Sequence, residues 1–146
     1  IVTHEHFYLQ NEFNLLGIHL NARNPKEPHD YAGNVSCTCH SIDELKNKKH
    51  FYDYVFLSPV FDCITKAGVT AGFTPEELRA AGKERIIDNK VMAFGGITPD
   101  NILQVKDFGF GGAVVMGDLW NKFNACTDRD YTGVIRHFKH LKEMAD

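Results

Sequence analysis

A buried strand that runs into a polar loop is the feature that most restricts the fold of this chain. Residues 54–57 (Tyr-Val-Phe-Leu) form a nearly continuous apolar run, and Pro59 ends it. Such a run is typical of a parallel strand that is covered on both faces. Ligands of parallel sheets bind at the carboxyl ends of the strands. Thr65 and Lys66 follow this end, and a hydroxyl beside an ammonium group predicts an anion site.

Two later strands also end at glycine. One ends at Gly95-Gly96 and is followed by Thr98-Pro99, the N-cap and first residue of a predicted helix, and the other ends at Gly117. The free N–H groups of a helix start attract anions. An isolated loop lysine is usually only solvated, but three successive strand ends together predict a phosphate site in the last third of a (β/α) barrel.

Strands and helix-start signals alternate along the chain. Ser41 has the capping-box spacing to Glu44, and Thr74 precedes a proline and two acidic residues. The chain closes with an amphipathic helix over residues 130–145. This alternation predicts one α/β domain over residues 1–146, with strands near residues 1–4, 17–20, 34–39, 53–58, 91–95 and 112–116.

The composition is that of an ordinary enzyme. The net charge is −3, 43% of the residues are hydrophobic, and no apolar run is long enough to span a membrane. Lysines cluster only over 46–49, so we expect neither a nucleic-acid nor a membrane partner. The four cysteines lack the paired spacing of a zinc site. We therefore expect a reduced, cytoplasmic location, and we leave a homo-oligomer open.

Several motifs occur in the order and at the spacings of a known family. They resemble the thiamine phosphate synthase and thiazole tautomerase superfamily over most of the chain, from residue 1 to about residue 120. The matching segments are GIHLNARN (17–24), VSCTCHSIDEL (35–45), SPVFDCITKAG (58–68), FGGITPDNI (94–102) and GFGGAVVMGDLW (109–120).

The resemblance implies a (β/α)8 TIM barrel, of which this chain covers about strands three to eight. Such barrels usually need about 200 residues or more, whereas this chain has 146. We therefore expect that the first two βα units are absent from this sequence. The alternative is an open sheet whose edges are covered by a partner subunit, because folded proteins protect unpaired strand edges.

The synthase branch of this family joins hydroxymethylpyrimidine pyrophosphate to a thiazole phosphate and releases pyrophosphate. The resemblance implies that Thr65 and Lys66 are the catalytic residues, and that both bind the pyrophosphate together with His4 and Thr38. It also implies that the thiazole phosphate is bound by the backbone at Gly95, Gly96 and Gly117.

The family holds Mg²⁺ with two aspartates, and here the chain departs from the pattern. Glu5 and Asn24 stand at the aligned metal positions. Glutamate keeps the charge but places the carboxylate farther from the backbone, and asparagine removes a charge that Mg²⁺ favours. We therefore expect Mg²⁺ as the cofactor, bound more weakly than in a family member with both aspartates.

Three alternatives remain at this point. A catalytically silent paralogue would keep the phosphate site and bind a thiamine or thiazole phosphate. A thiazole tautomerase would need a histidine as proton shuttle, but Pro59 occupies that position, so His4 or His40 would have to replace it. Finally, His4 and His6 share one face of a strand and could bind a transition metal with His19 and His40.

Overall fold

The computed structural model describes residues 1–65, 67–124 and 126–146. Its strands β1 to β6 span, in chain order, Val2–Thr3, Gly17–Leu20, Asn34–Cys39, Tyr54–Leu57, Val91–Phe94 and Gly112–Val114. Its helices α1 to α6 span Tyr8–Phe13, Ile42–Lys48, Pro75–Lys83, Ile102–Asp107, Gly117–Trp120 and Thr132–Ala145, and a 3-10 turn covers Lys49–Phe51. In the described ranges, no helix is both long and apolar enough to cross a membrane.

All six strands are parallel and pair in sequence order, from β1 at one edge to β6 at the other. The sheet is an open half-barrel, so the prediction of a closed (β/α)8 barrel is wrong for this chain. Closure of a TIM barrel takes eight tilted strands, and this sheet has six. The six strands themselves lie where the sequence predicts them.

The two faces of the sheet are covered unequally. Side chains alternate between the faces along each strand, and Val55 and Leu57 of β4 are fully buried under helices that contribute the buried residues Leu45 and Leu78. The other face of β4 is only half-buried. The expectation that this strand is covered on both faces is therefore wrong, because its second face turns toward the open side of the half-barrel.

Two of the predicted helix starts are confirmed. The Ser41 hydroxyl accepts the Glu44 N–H at 3.0 Å, and Thr74 forms a reciprocal capping box with Glu77. The third is wrong, because α4 begins at Ile102 and the residues before it form a turn.

The side chain of Asn101 holds this turn. Its Oδ1 accepts the Thr98 N–H at 2.9 Å, and its Nδ2 donates to the Gly96 carbonyl at 2.8 Å. The backbone after β5 is therefore organised by an asparagine and not by a capped helix start.

Candidate active site

A cavity of about 620 Å³ lies at the carboxyl ends of the strands. Five of the predicted site residues line it, namely Thr38, Thr65, Gly95, Gly96 and Gly117. Its wall is mainly apolar, with contributions from Ile64, Phe94 and Met116 among others. An apolar cavity with a few polar groups at one end of a parallel sheet is the usual form of a small-molecule site.

We call the part of the site at the ends of β4, β5 and β6 the phosphate half; it comprises residues 58–65, 94–97 and 116–117. Here the loop after β4 lies directly against the turn after β5. The Val60 N–H donates to the Phe94 carbonyl at 2.9 Å, and the Phe61 N–H donates to the Gly95 carbonyl at 3.1 Å. These backbone bonds fix the two loops relative to each other.

Packing within the phosphate half requires glycine at two positions. Gly96 has φ of +68°, and a Cβ at this position would lie 2.2 Å from the Asp62 carbonyl oxygen. A Cβ on Gly117 would lie 2.7 Å from the Thr65 methyl carbon. We expected these glycines to let a phosphate approach the backbone. The described contacts show that the absence of a side chain at Gly96 and Gly117 makes room for the loop after β4.

The hydroxyl predicted to bind an anion lies in this half. Thr65 Oγ1 is 3.4 Å from Cys63 Sγ, and both residues line the cavity. Lys66, the predicted cation beside it, lies outside the described residues. Its role as a ligand of the pyrophosphate therefore stays a prediction.

His19 in β2 is buried behind the cavity-lining Thr38, with 3% of its surface exposed. Its ring lies between those of His4 and Phe56, with centroid distances of 4.5 and 4.6 Å. Its Nδ1 is 2.9 Å from Ser36 Oγ, and its Nε2 is 2.9 Å from Thr38 Oγ1. Burial, with a smaller contribution from His4, lowers the pKa of His19 to about 4, so the ring is neutral near pH 7.

The tautomer of His19 decides whether the Thr38 hydroxyl can donate its proton to a ligand. A neutral imidazole has one N–H donor and one acceptor nitrogen. With the proton on Nε2, His19 donates to Thr38, and the Thr38 hydroxyl proton is left for a ligand. With the proton on Nδ1, Thr38 donates to His19 instead. Ser36 is compatible with both tautomers. Its hydroxyl can donate to an unprotonated Nδ1, or it can accept from a protonated Nδ1 and donate to the Ile18 carbonyl at 3.3 Å.

His40 also lines the cavity. Its Nδ1 is 2.9 Å from the Ser58 carbonyl, which can only accept, so Nδ1 carries a proton. Its backbone N–H donates to Glu44 Oε2 at 2.8 Å. The ring bond ties the end of β3 to the loop after β4, and the backbone bond ties it to α2.

We call residues 4–5 and 21–24, at the ends of β1 and β2, the metal corner. The Glu5 carboxylate is paired with the Arg23 guanidinium at 2.5 Å. His4, which was predicted at the pyrophosphate, accepts a hydrogen bond from Asn21 Nδ2 through its carbonyl at 2.8 Å. Among the described residues that line the cavity, neither His4, Glu5 nor Asn24 is found. The metal corner therefore lies at the rim of the cavity.

The donor atoms of the metal corner fit Mg²⁺ in kind. Glu5 offers a carboxylate and Asn24 an amide oxygen, and Mg²⁺ is commonly held by one or two carboxylates together with substrate phosphate oxygens. No group of three or more His, Cys, Asp or Glu side chains in the described ranges could hold a metal ion. Glu5 and Asn24 alone would thus hold a divalent cation weakly, and oxygens from the substrate would complete the site.

The same observation bears on the alternative transition-metal site. His4 and His19 are close, but β1 ends at Thr3, so His6 does not share a strand face with His4, and no group of these side chains in the described ranges could hold a metal ion. His40 is bonded to Ser58 at another strand end. The described part of the chain therefore does not bring these four histidines together as one metal site.

Three functional candidates were missed from the sequence. Asn21 and Asn101 each organise a turn beside the site, and Arg23 adds a positive charge to the metal corner. The preference of asparagine for turns could have indicated the first two. The charge partner of Arg23 lies 18 residues away on another strand end, so nothing local in the sequence indicates it.

Comparisons with known proteins agree with these observations. A family model described as thiamine monophosphate synthase matches residues 3–119. A crystal structure of thiamine phosphate pyrophosphorylase from Bacteroides thetaiotaomicron has 67% identity and a TM-score of 0.90, over 100% of this chain and 70% of that one.

Thiamine phosphate pyrophosphorylase from Pyrococcus furiosus has 18% identity and a TM-score of 0.65, over 99% of this chain and 66% of that one, and shows the shared fold. No curated protein matches the chain in sequence. The match of the family model over residues 3–119 and the 67% identity establish the family: the chain belongs to the thiamine monophosphate synthases.

Proposed function

We propose that this chain joins hydroxymethylpyrimidine pyrophosphate to a thiazole phosphate and releases pyrophosphate, as a transferase of thiamine biosynthesis. Membership of the family supports the reaction. The observation that carries its assignment to this site is that one cavity gathers Thr38, Thr65 and the glycine turns after β5 and β6. Small phosphorylated substrates are the ligands that such a site suits.

In this reaction the protein has to orient the two substrates and stabilise the charge of the leaving group, and it has less need of acid and base groups. The difficult step is the departure of pyrophosphate from the methylene group on the pyrimidine ring, after which the thiazole nitrogen attacks that methylene carbon. Donors aimed at the leaving group stabilise the developing charge, and a fixed second reactant avoids the entropy of a bimolecular encounter. The two parts of the site divide these tasks.

In this proposal the phosphate half holds the thiazole phosphate. Backbone groups at Gly95, Gly96 and Gly117 would bind its phosphate. The rigid contact between the loops after β4 and β5 supports this role, because it fixes those backbone groups in place. The thiazole would then lie in the apolar part of the cavity.

The pyrophosphate would be bound by Thr38, Thr65 and Lys66, with His4 at the rim. Thr38 can donate to it only while His19 is protonated at Nε2. Glu5 and Asn24 would hold Mg²⁺, which supplies neutralising charge to the leaving pyrophosphate when bound. The location in the cytoplasm also stays a prediction.

The test is an assay of thiamine phosphate formation by the full-length protein at increasing Mg²⁺ concentration. We expect product, with half-maximal rate at a higher Mg²⁺ concentration than for a family member with two aspartates. Calorimetry with each substrate is the control for binding. Absence of product at every Mg²⁺ concentration, although both substrates bind, would contradict the proposed reaction.

A further inference from the structure

A positive side chain occupies the metal corner, where the family pattern places acidic groups. The guanidinium of Arg23 contacts the Glu5 carboxylate at 2.5 Å. The Arg23 side chain is 80% exposed and that of Glu5 is 41% exposed. Ion pairs this exposed are weak, because water and salt screen them. The guanidinium can therefore leave Glu5 at little cost when a stronger anion is present.

A fixed turn presents Arg23 at this point. Asn21 Oδ1 accepts the N–H groups of Arg23 and Asn24, at 2.9 and 3.1 Å. Asn21 Nδ2 reaches back to the His4 carbonyl. Asn21 thus joins the ends of β1 and β2 and holds residues 21–24 at the rim. Asn21 and Ala22 line the cavity, so the base of the Arg23 side chain lies beside it.

The described cavity wall is short of positive charge. Among the described lining residues, the only lysine or arginine is Lys48, and its ammonium already contacts Glu44 at 2.7 Å. A bound pyrophosphate carries several negative charges. A guanidinium suits it, because its planar fork of N–H donors binds phosphate oxygens in pairs.

We propose that Arg23 is a pyrophosphate-binding residue that the free protein holds on Glu5. This inference rests on the proposed function. When pyrophosphate enters the cavity, Arg23 transfers from the carboxylate to the phosphate oxygens. The same movement leaves the Glu5 carboxylate open to a divalent cation. Arg23 therefore competes with the cation for Glu5 in the free protein and assists it once pyrophosphate is bound.

Calorimetric titrations of the full-length protein test both parts. Mn²⁺, as a Mg²⁺ substitute, is titrated without pyrophosphate, and inorganic pyrophosphate is titrated with and without metal. Arg23→Gln should bind Mn²⁺ about threefold to tenfold more tightly, because the competing cation is gone. It should bind pyrophosphate with metal about tenfold more weakly. Glu5→Gln should do the reverse: weaker Mn²⁺ binding and tighter metal-free pyrophosphate binding, since Arg23 is released.

Lys26→Gln is the matched control, because it removes one positive charge three residues farther along the same segment. It should change neither affinity appreciably. If the parent binds pyrophosphate but Arg23→Gln matches Lys26→Gln, the inference is overturned and the proposed function stands. If the parent does not bind pyrophosphate at all, the proposed function fails and the inference fails with it. Circular dichroism of each variant verifies the fold.

Discussion

The phosphate half and the metal corner are built in different ways, although both lie at the carboxyl ends of one sheet. The phosphate half is fixed by backbone: its loops hydrogen-bond to each other, and Gly96 and Gly117 have no room for a side chain. The metal corner is a turn held by Asn21, and it carries the exposed ion pair of Glu5 and Arg23. A change of a glycine in the first costs stability, whereas a change of Glu5 or Arg23 in the second alters charge and little else. The glycines are therefore constrained by packing, whereas Glu5 and Arg23 are not.

Gly96→Ala should have the largest effect on stability. The new Cβ would lie against the Asp62 carbonyl, and φ of +68° disfavours alanine. We expect the free energy of unfolding to fall by about 2–4 kcal/mol, measured by urea denaturation. Gly68→Ala is the control, because Gly68 has a similar φ of +80° but no atom within 4 Å of the new Cβ. It should lose about 1 kcal/mol. Equal losses would show that the tight contact is not what the phosphate half depends on.

Lys66→Ala should separate the two ligands of the site. A lost hydrogen bond to a charged group should weaken pyrophosphate binding by about 1.5–3 kcal/mol, and thiazole phosphate binding should change little. Titration calorimetry with each ligand measures this. Lys46→Ala, on the exposed face of α2, is the charge-matched control. Equal losses for both ligands would place Lys66 in the wrong part of the site.

His19 is buried between His4 and Phe56 and should make the stability depend on pH. Its pKa of about 4 in the folded protein is below the ordinary 6.5, so the unfolded chain binds a proton more readily as the pH falls. From pH 7 to pH 5, the parent should lose about 2 kcal/mol more of its unfolding free energy than His19→Gln. His140→Gln, on the exposed surface of α6, should behave as the parent. An unchanged pH dependence in His19→Gln would show that this histidine is not held neutral.

Glu5→Gln should have the smallest effect on folding. An exposed ion pair contributes less than about 1 kcal/mol, so the urea midpoint of this variant should stay close to that of the parent. Tyr31→Phe is a suitable comparison, because it removes only a long 3.4 Å hydrogen bond. A loss above about 2 kcal/mol would mean that the metal corner is part of the folded framework and would remove the contrast with the phosphate half.

The local elements of the fold could be predicted from the sequence because their signals are local. Apolar runs identify strands such as Tyr54–Leu57, and the Thr74 capping box identifies the start of α3. The closed barrel was wrong although the six strands were right, because closure depends on how many strands pair and not on any one of them. The helix start at Thr98 was wrong for a different reason: α4 begins only at Ile102, after a turn in which the Asn101 side chain accepts the Thr98 N–H.

In the site, too, some features could be predicted from the sequence and others could not. Thr65 and the glycines were predicted to lie together, because the carboxyl ends of parallel strands share one edge, and the resemblance added Thr38. All of them line one cavity. What could not be predicted is which hydrogen-bond and ion-pair partners the site residues have. The partner of Thr38 is a histidine on the neighbouring strand, and the partner of Glu5 is an arginine on another strand end. Such pairs depend on the register of the sheet, which the sequence pattern alone does not specify.

Titration of thiazole phosphate into the full-length protein tests the central claim most directly, namely that the phosphate half binds its ligand through backbone fixed by packing and without the metal corner. We predict saturable binding at one site per chain, with the same affinity in Mg²⁺ and in EDTA, and with the same affinity in Glu5→Gln. Absence of binding, or binding that disappears with EDTA or in Glu5→Gln, would contradict the account.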